Sequence, residues 1–126
     1  MSIVQAELTM IDFDRDTALT KKMLDALDMR VRASMHNIAN QNTPGFKRYV
    51  VRFEELLREK LADGDDGSVQ DVEPLVERDT TGDPGQNTVS MVDETATLDK
   101  ARLVFDVMTR RAGSLFKLMN SAVFGR

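Results

Sequence analysis

The most regular feature of this 126-residue sequence is an apolar repeat in its last third. From Ser90 to about Phe124, apolar residues recur at alternating spacings of three and four, and Glu94 is the one polar break. The apolar members of the repeat are Met91, Leu98, Ala101, Phe105, Met108, Ala112, Leu115, Met119 and Ala122. Such spacing is typical of a coiled-coil helix of about four heptads. The pattern therefore predicts a long helix, and Ser90 with Asp93 resembles a capping box at its start.

The same helix carries residues that one packing partner would leave uncovered. Its apolar residues outside the main repeat are Leu103, Val104, Val107, Leu118 and Val123. Its basic residues are Lys100, Arg102, Arg110, Arg111, Lys117 and Arg126. A helix with apolar residues outside its main stripe is expected to contact more than one partner.

A second helical pattern runs from Thr17 to about Asn40. Its stripe consists of Leu24, Leu27, Val31, Ser34 and Ile38, again at spacings of three and four. The side chain of Asp16 suits the N-cap of this helix, because a carboxylate can accept hydrogen bonds from free backbone amides. The two long helices are expected to pair through their apolar stripes.

The first helical pattern ends in a stretch rich in asparagine, Asn37 to Lys47. Asn40 or Asn42 is expected to close the helix in the left-handed conformation. Pro44 and Gly45 suit the central positions of a type II turn, in which glycine supplies the positive φ. A short helix is expected within 49–62, because Phe53, Leu56, Leu57 and Leu61 recur there at helical spacing.

The middle of the chain is acidic and poor in apolar residues. Between Glu54 and Glu94 there are 13 acidic and three basic residues. We expect 63–89 to be a flexible linker with a solvated surface. Calcium binding is the alternative, but the Asp63 to Gly67 run lacks the spaced oxygen ligands of an EF-hand loop.

These patterns together predict an all-α fold. Two long N- and C-terminal helices form a coiled-coil hairpin, with a short helix after the turn and a flexible acidic middle segment. The expected regions are 1–48 for the first helix and turn, 49–62 for the short helix, 63–89 for the linker and 90–126 for the last helix, which packs with 17–40 as one helical domain. Repeated copies making head-to-tail contacts would form a ring or a helical tube.

Composition argues against several classes of function. The net charge of −4 does not fit a general nucleic-acid-binding protein. The chain has no cysteine and a single histidine, His36, so neither a metal site nor a nucleophilic triad is expected. We expect no cofactor, no small-molecule substrate and no enzymatic activity. No apolar run is long enough to span a membrane, and no cleaved signal peptide is evident.

The stretch that ends the first helix resembles the N-terminal signature of the bacterial flagellar rod and hook family. The family motif has the form Ala-Asn-Asn-Ile-Ala-Asn-x-Asn-Thr-Pro-Gly-Tyr/Phe-Lys. The matching residues are Asn37, Ile38, Ala39, Asn40, Asn42, Thr43, Pro44, Gly45, Phe46 and Lys47. Met35 and His36 depart from it. Larger family members insert β domains between their two helices, and this chain is too short for one, so it is most similar to the proximal rod members.

The resemblance implies a structural subunit of the flagellar basal-body rod that transmits motor torque. It implies export through the flagellar type III apparatus without a cleaved signal, assembly in the periplasm, and contacts with itself, other rod subunits and the export apparatus. The expected assembly seam consists of Leu24, Leu27, Val31, Ile38, Leu98, Phe105, Met108, Leu115 and Met119. We also expect Asn37, Asn40 and Asn42 to fix the turn and to form hydrogen bonds with backbone groups where subunits meet. The alternative function is a helical adaptor or an export-chaperone-like binding module.

Overall fold

Two long helices account for most of the structure. The computed structural model describes residues 3–64 and 66–125. Helix α1 spans Ile3–Ala39, and helix α3 spans Met91–Phe124. Between them lie strand β1 (Tyr49–Arg52), helix α2 (Glu54–Ala62), a 3-10 helix (Asp66–Asp71) and strand β2 (Leu75–Arg78).

Helices α1 and α3 pack side by side in antiparallel directions. Near the end of α1, Asn37 contacts Glu94 in the first turn of α3. Near the other end, the Arg111 guanidinium lies 3.2 Å from the Asp16 carboxylate. Leu27 and Ala101 are buried along the contact between the two helices. One residue from the apolar stripe of each helix is therefore buried where the two helices meet.

Helix α1 begins earlier than the sequence pattern suggested. Asp16 is not its N-cap but lies inside the helix, where its backbone carbonyl accepts a 2.7 Å hydrogen bond from the Thr20 hydroxyl. The residues before Asp16 include no proline or glycine that would interrupt a helix. The helix therefore continues from the first described residue.

The ends of α3 agree with the prediction. The Ser90 hydroxyl accepts a hydrogen bond of 3.3 Å from the backbone N–H of Asp93, so Ser90 is the N-cap. At the other end, Gly125 adopts the left-handed conformation with φ 67°, and its N–H donates to the Ser121 carbonyl. These caps satisfy backbone groups that a helix end leaves free.

The prediction of an all-α fold is wrong in one respect, because β1 and β2 form a small antiparallel sheet. Tyr49 lies opposite Arg78, and Arg52 lies opposite Leu75. The short helix predicted within 49–62 begins only at Glu54. Tyr49 and the two valines that follow it have high strand propensity, and pairing with a distant segment fixes them as a strand.

The prediction of a flexible linker over 63–89 is also wrong for most of that segment. Val69 and Val72 are buried, and Val72 packs in a core with Ala26 and Phe53. Met23, Leu56 and Leu57 border this core. The Lys22 ammonium adds an ion pair with the Glu73 carboxylate. The acidic middle segment therefore folds back on α1 and α2, because its few valines supply apolar surface that those helices need.

This packing predicts a measurable cost for shortening one valine. We expect Val72→Ala to lower the free energy of unfolding by about 2 kcal/mol, because the side chain is buried and a cavity remains. Chemical denaturation with urea measures the change. The matched control is Val92→Ala, since Val92 is highly exposed and its loss should change stability by less than about 0.5 kcal/mol. Equal and small effects at both positions would restore the flexible-linker interpretation.

Candidate functional site

The asparagine-rich stretch forms a helix end followed by a tight turn. The backbone N–H of Phe46 donates to the Thr43 carbonyl at 3.2 Å, and Gly45 has φ 71°. This geometry confirms the predicted type II turn at Pro44 and Gly45. The expectation that Asn40 or Asn42 adopts the left-handed conformation is wrong, since among the described residues only glycines have positive φ. The Asn40 side chain instead donates to the His36 carbonyl at 2.8 Å.

Asn37 is fully buried and acts as an extension of the sheet. Its side-chain amide donates to the Tyr49 carbonyl at 2.9 Å and accepts from the Tyr49 backbone N–H at 2.7 Å. The carboxamide thus makes the two hydrogen bonds that a neighbouring strand would make with Tyr49. It fixes β1 against the last turn of α1.

Glu94, the one polar break in the apolar repeat, lies next to Asn37. Its side chain is fully buried, and its Oε1 accepts from Asn37 Nδ2 at 3.0 Å and from Arg48 Nε at 2.9 Å. A buried carboxylate is costly unless a cation and hydrogen-bond donors surround it. We call Asn37, Arg48 and Glu94 the polar centre. It joins α1, the segment before β1 and the start of α3 at one point.

Motif residues also hold the segment that leads into α3. The Asn87 amide nitrogen lies 2.9 Å from the Asn40 carbonyl oxygen and 2.7 Å from the Thr43 carbonyl oxygen. The Lys47 ammonium donates to the Asp83 carbonyl at 2.6 Å. The backbone N–H of Thr88 donates to the Phe46 carbonyl at 3.0 Å.

The contacts of Asn37 and Asn40 agree with the expectation that motif asparagines fix the turn, and their expected hydrogen bonds between subunits stay a prediction. The side chains of Asn37 and Asn40 form hydrogen bonds within one chain. Asn42 lies at the exposed tip of the turn. The motif residues other than Asn42 therefore secure the turn and the middle segment against the helices.

The predicted assembly seam lies along a groove between α1 and α3, which we call the helical groove. Its first cavity, of about 330 Å³, is lined in part by Leu24, Leu115 and Met119. Its second cavity, of about 360 Å³, is lined in part by four further seam residues: Leu27, Val31, Leu98 and Phe105. Ile38 and Met108 are half-buried and line neither cavity. The structure thus brings together seven of the nine predicted seam residues.

The helical groove is open, and much of the apolar surface of α3 is uncovered. Phe116, which lines the first cavity, is 64% exposed. The other exposed large apolar residues of the second half of α3 are Val107, Leu118, Met119, Val123 and Phe124. An apolar surface of this extent is typical of an association surface. Helix α1 covers only one side of α3. Helices of other molecules would be needed to bury the apolar surface on the remaining sides.

Two surface carboxylates make stability dependent on pH. The hydrogen bond from Arg30 lowers the pKa of Glu54, and the hydrogen bond from the Thr81 backbone N–H lowers the pKa of Asp79. Both groups therefore stabilise the fold above their ordinary pKa values of 4.5 and 3.8, and this contribution is lost as the pH falls through the lowered values. We expect the urea midpoint to fall between about pH 5 and pH 3. The Glu54→Gln variant should show a shallower fall, and an unchanged pH profile would contradict the assigned role of Glu54.

The described residues offer no arrangement typical of metal chemistry. Among them, no group of three or more histidine, cysteine, aspartate or glutamate side chains could hold a metal ion. His36 is exposed and meets the Tyr49 ring edge-on, with 6.2 Å between ring centroids. No helix in the described part of the chain has the length and hydropathy required to cross a membrane.

The sequence patterns missed three residues that organise this site. Arg48 and Asn87 gave no signal, because neither belongs to a periodic stripe and their partners are far away in the chain. Phe53, which is almost fully buried, was assigned only to the stripe of the short helix. Glu94 did give a signal, because a charged residue in an otherwise apolar repeat requires a buried partner.

Comparison with known proteins gives one relevant similarity. No protein-family model matches the sequence. The chain is 26% identical over 131 residues to the flagellar basal body rod protein FlgB of Borreliella burgdorferi. The alignment covers 88% of this chain and 97% of that relative. The similarity therefore extends well beyond the Asn37 to Lys47 motif and includes both long helices.

Proposed function

We propose that this chain is a structural subunit of the bacterial flagellar basal-body rod, with FlgB as the member it most resembles. The alignment with a FlgB protein over nearly its whole length supports the type of assembly. The motif from Asn37 to Lys47 supports the same family. We assign the chain no catalytic role, no cofactor and no nucleic-acid or small-molecule partner.

The observation that carries an assembly function is the open helical groove. It is lined by apolar side chains from both long helices, and α3 carries further exposed apolar residues beside it. We propose that helices of neighbouring subunits fill this groove through coiled-coil contacts with the α1–α3 hairpin. Leu24, Leu115 and Met119 contact the neighbouring subunit in the first cavity, and Leu27, Leu98 and Phe105 do so in the second.

The polar centre suits a subunit that transmits torque. A hydrogen-bonded network with a buried ion pair has a fixed geometry, because any displacement leaves buried polar groups without partners. Asn37, Arg48 and Glu94 fix α1, α3 and the sheet relative to one another. In the rod, torque would pass from the helical groove of one subunit to the next through this fixed junction.

The proposed location follows from the proposed assembly. The chain would be exported through the flagellar type III apparatus without a cleaved signal and would assemble in the periplasmic part of the basal body. Its partners would be further copies of itself, other rod subunits and the export apparatus.

The second candidate is a helical adaptor or an export-chaperone-like module, because the same groove would accept a helix of an unrelated protein. Deletion of the gene in its own bacterium, followed by purification of basal bodies from the complemented strain, separates the two. A rod subunit should be present in washed basal bodies, and its deletion should abolish swimming. A chain that is absent from basal bodies but bound to exported subunits in the cytoplasm would favour the chaperone-like function.

A further inference from the structure

Helix α3 has a second regular stripe, which lies on the side away from its buried residue Ala101. Its members follow spacings of four and three: Leu103, Val107, Arg110, Ser114, Lys117 and Ser121. We call these residues the outer stripe. All six are exposed, and Leu103 and Val107 are 67% and 54% exposed. A stripe with this spacing can form a helical contact, and its charged members are basic.

Charge is unevenly distributed in the chain. Residues 102–126 contain five basic side chains and one acidic side chain, whereas the remaining residues contain 12 basic and 20 acidic. The basic outer stripe therefore belongs to a chain whose other surfaces are acidic overall. Opposite charges on separate surfaces favour contacts between copies.

The complementary surface lies on α2 and the 3-10 helix. Its exposed acidic residues, which we call the acidic patch, are Glu55, Glu59, Asp63, Asp71 and Glu73. Arg52 and Lys22 pair with part of the patch, but Asp63 and Asp71 make no ion pair with any residue that the structure describes. Leu61, 46% exposed, is an exposed apolar residue in the last turn of α2, two residues before Asp63.

The start of α2 and the basic residues of the outer stripe lie at different distances along α3. Lys100 and Glu54 line one cavity, so α2 lies beside the first turns of α3. Arg110 is ten residues beyond Lys100, a displacement of about 15 Å along a helix. Arg110 and Lys117 therefore lie further along α3 than the start of α2 does.

We propose that the outer stripe of α3 docks on the acidic patch of a second copy of this chain. Val107 would contact Leu61 of that copy, with Arg110 and Lys117 near the carboxylates. The two surfaces differ, so the contact is head-to-tail and can repeat without closing into a dimer. This inference rests on the proposed rod function and adds a second contact between copies, separate from the helical groove.

The absence of native cysteine allows a direct test by disulfide trapping. The full chain carrying both Leu61→Cys and Val107→Cys is purified and oxidised at low salt. A head-to-tail contact should give a ladder of dimers, trimers and larger products, because every copy has one cysteine on each surface. The controls are each single variant, and the pair Val92→Cys with Val107→Cys, since Val92 is exposed outside both surfaces. None of these controls should give a ladder.

Charge provides the second arm of the test. Adding Arg110→Glu to the cysteine pair should reduce the rate of ladder formation about tenfold, and Asp63→Lys should restore most of it. High salt should have a similar effect to Arg110→Glu, because screening weakens contacts between exposed charges. Dimers of the Val107→Cys single variant, an internal disulfide, or no crosslink at low salt would each overturn the proposed contact. The rod function is tested separately, by looking for the chain in purified basal bodies. If the chain is present there, the rod function stands even when the crosslinking test fails. If the chain is absent, the rod function itself is overturned.

Discussion

Replacing Phe116 by glutamate is expected to abolish rod assembly and swimming while leaving the subunit folded. Phe116 is largely exposed and lines the first cavity of the helical groove, beside residues 17–24 of α1. In the free subunit the new carboxylate remains in water, so the free energy of unfolding changes little. In an assembled rod the carboxylate would be removed from water against the apolar side chains of a neighbouring helix, which costs several kcal/mol at each contact. Repetition along the rod multiplies this effect.

The measurement has two parts, and each has a control. Circular dichroism of the purified variant should match that of the wild-type chain, while complemented cells should fail to spread in soft agar. Val92→Glu is the matched control, because Val92 is an exposed apolar residue of α3 that lines neither groove cavity. Phe116 is a better site than Leu115, which is half-buried between the helices, so that a charge there would also disturb folding. Normal swimming of the Phe116→Glu strain would contradict the assembly role of the groove.

The second large effect is expected at Asn37, where alanine should destabilise the fold by about 3–5 kcal/mol. The substitution removes both hydrogen bonds to the Tyr49 backbone and one of the two donors to the Glu94 carboxylate. The buried Glu94 carboxylate and the two partly buried backbone groups of Tyr49 would each lose a partner, and the cost of their desolvation would not be recovered. Of the two side chains that donate to the buried Glu94 carboxylate, only Arg48 would remain.

Urea denaturation of Asn37→Ala measures this loss. Asn42→Ala is the matched control within the same motif, since Asn42 is exposed, and its effect should stay below about 0.5 kcal/mol. A loss below about 1 kcal/mol for Asn37→Ala would show that the polar centre contributes little to stability. The family motif would then need another explanation, such as a contact between subunits.

The elements that the sequence predicted well are those with many repeats of one local pattern. Helix α3 agrees at both ends, because its heptads and the Ser90 cap indicate the same limits. Helix α1 agrees at its C-terminal end for the same reason. Its start was misplaced because the acidic residues before Thr17 suggested a cap, although no residue there interrupts a helix.

The small sheet and the folded middle segment were not predictable in this way. Strand β2 has four residues, and it becomes a strand only through pairing with β1, more than twenty residues earlier in the chain. Val69 and Val72 look like isolated apolar residues in an acidic run, and only the structure shows that they cover α1 and α2. Non-local contacts of this kind leave no periodic signal.

The candidate site was predicted in part for the same physical reasons. The apolar seam could be located, because coiled-coil spacing places its residues on one face of each helix. The motif could be located as a turn, but the partners of Asn37 could not, since Glu94 is 57 residues away in the sequence. Glu94 could be recognised in the sequence as a polar break in the apolar repeat. Its hydrogen-bond donors, Asn37 and Arg48, could be identified only from the structure.

The most direct measurement of the central claim is a cryo-electron density map of basal bodies from the bacterium that makes this chain. The rod function predicts density for this chain in the rod, with α1 and α3 along the assembly and the helical groove filled by helices of neighbouring subunits. Rod density that excludes this chain, or that contains it with the groove facing solvent, would contradict the claim.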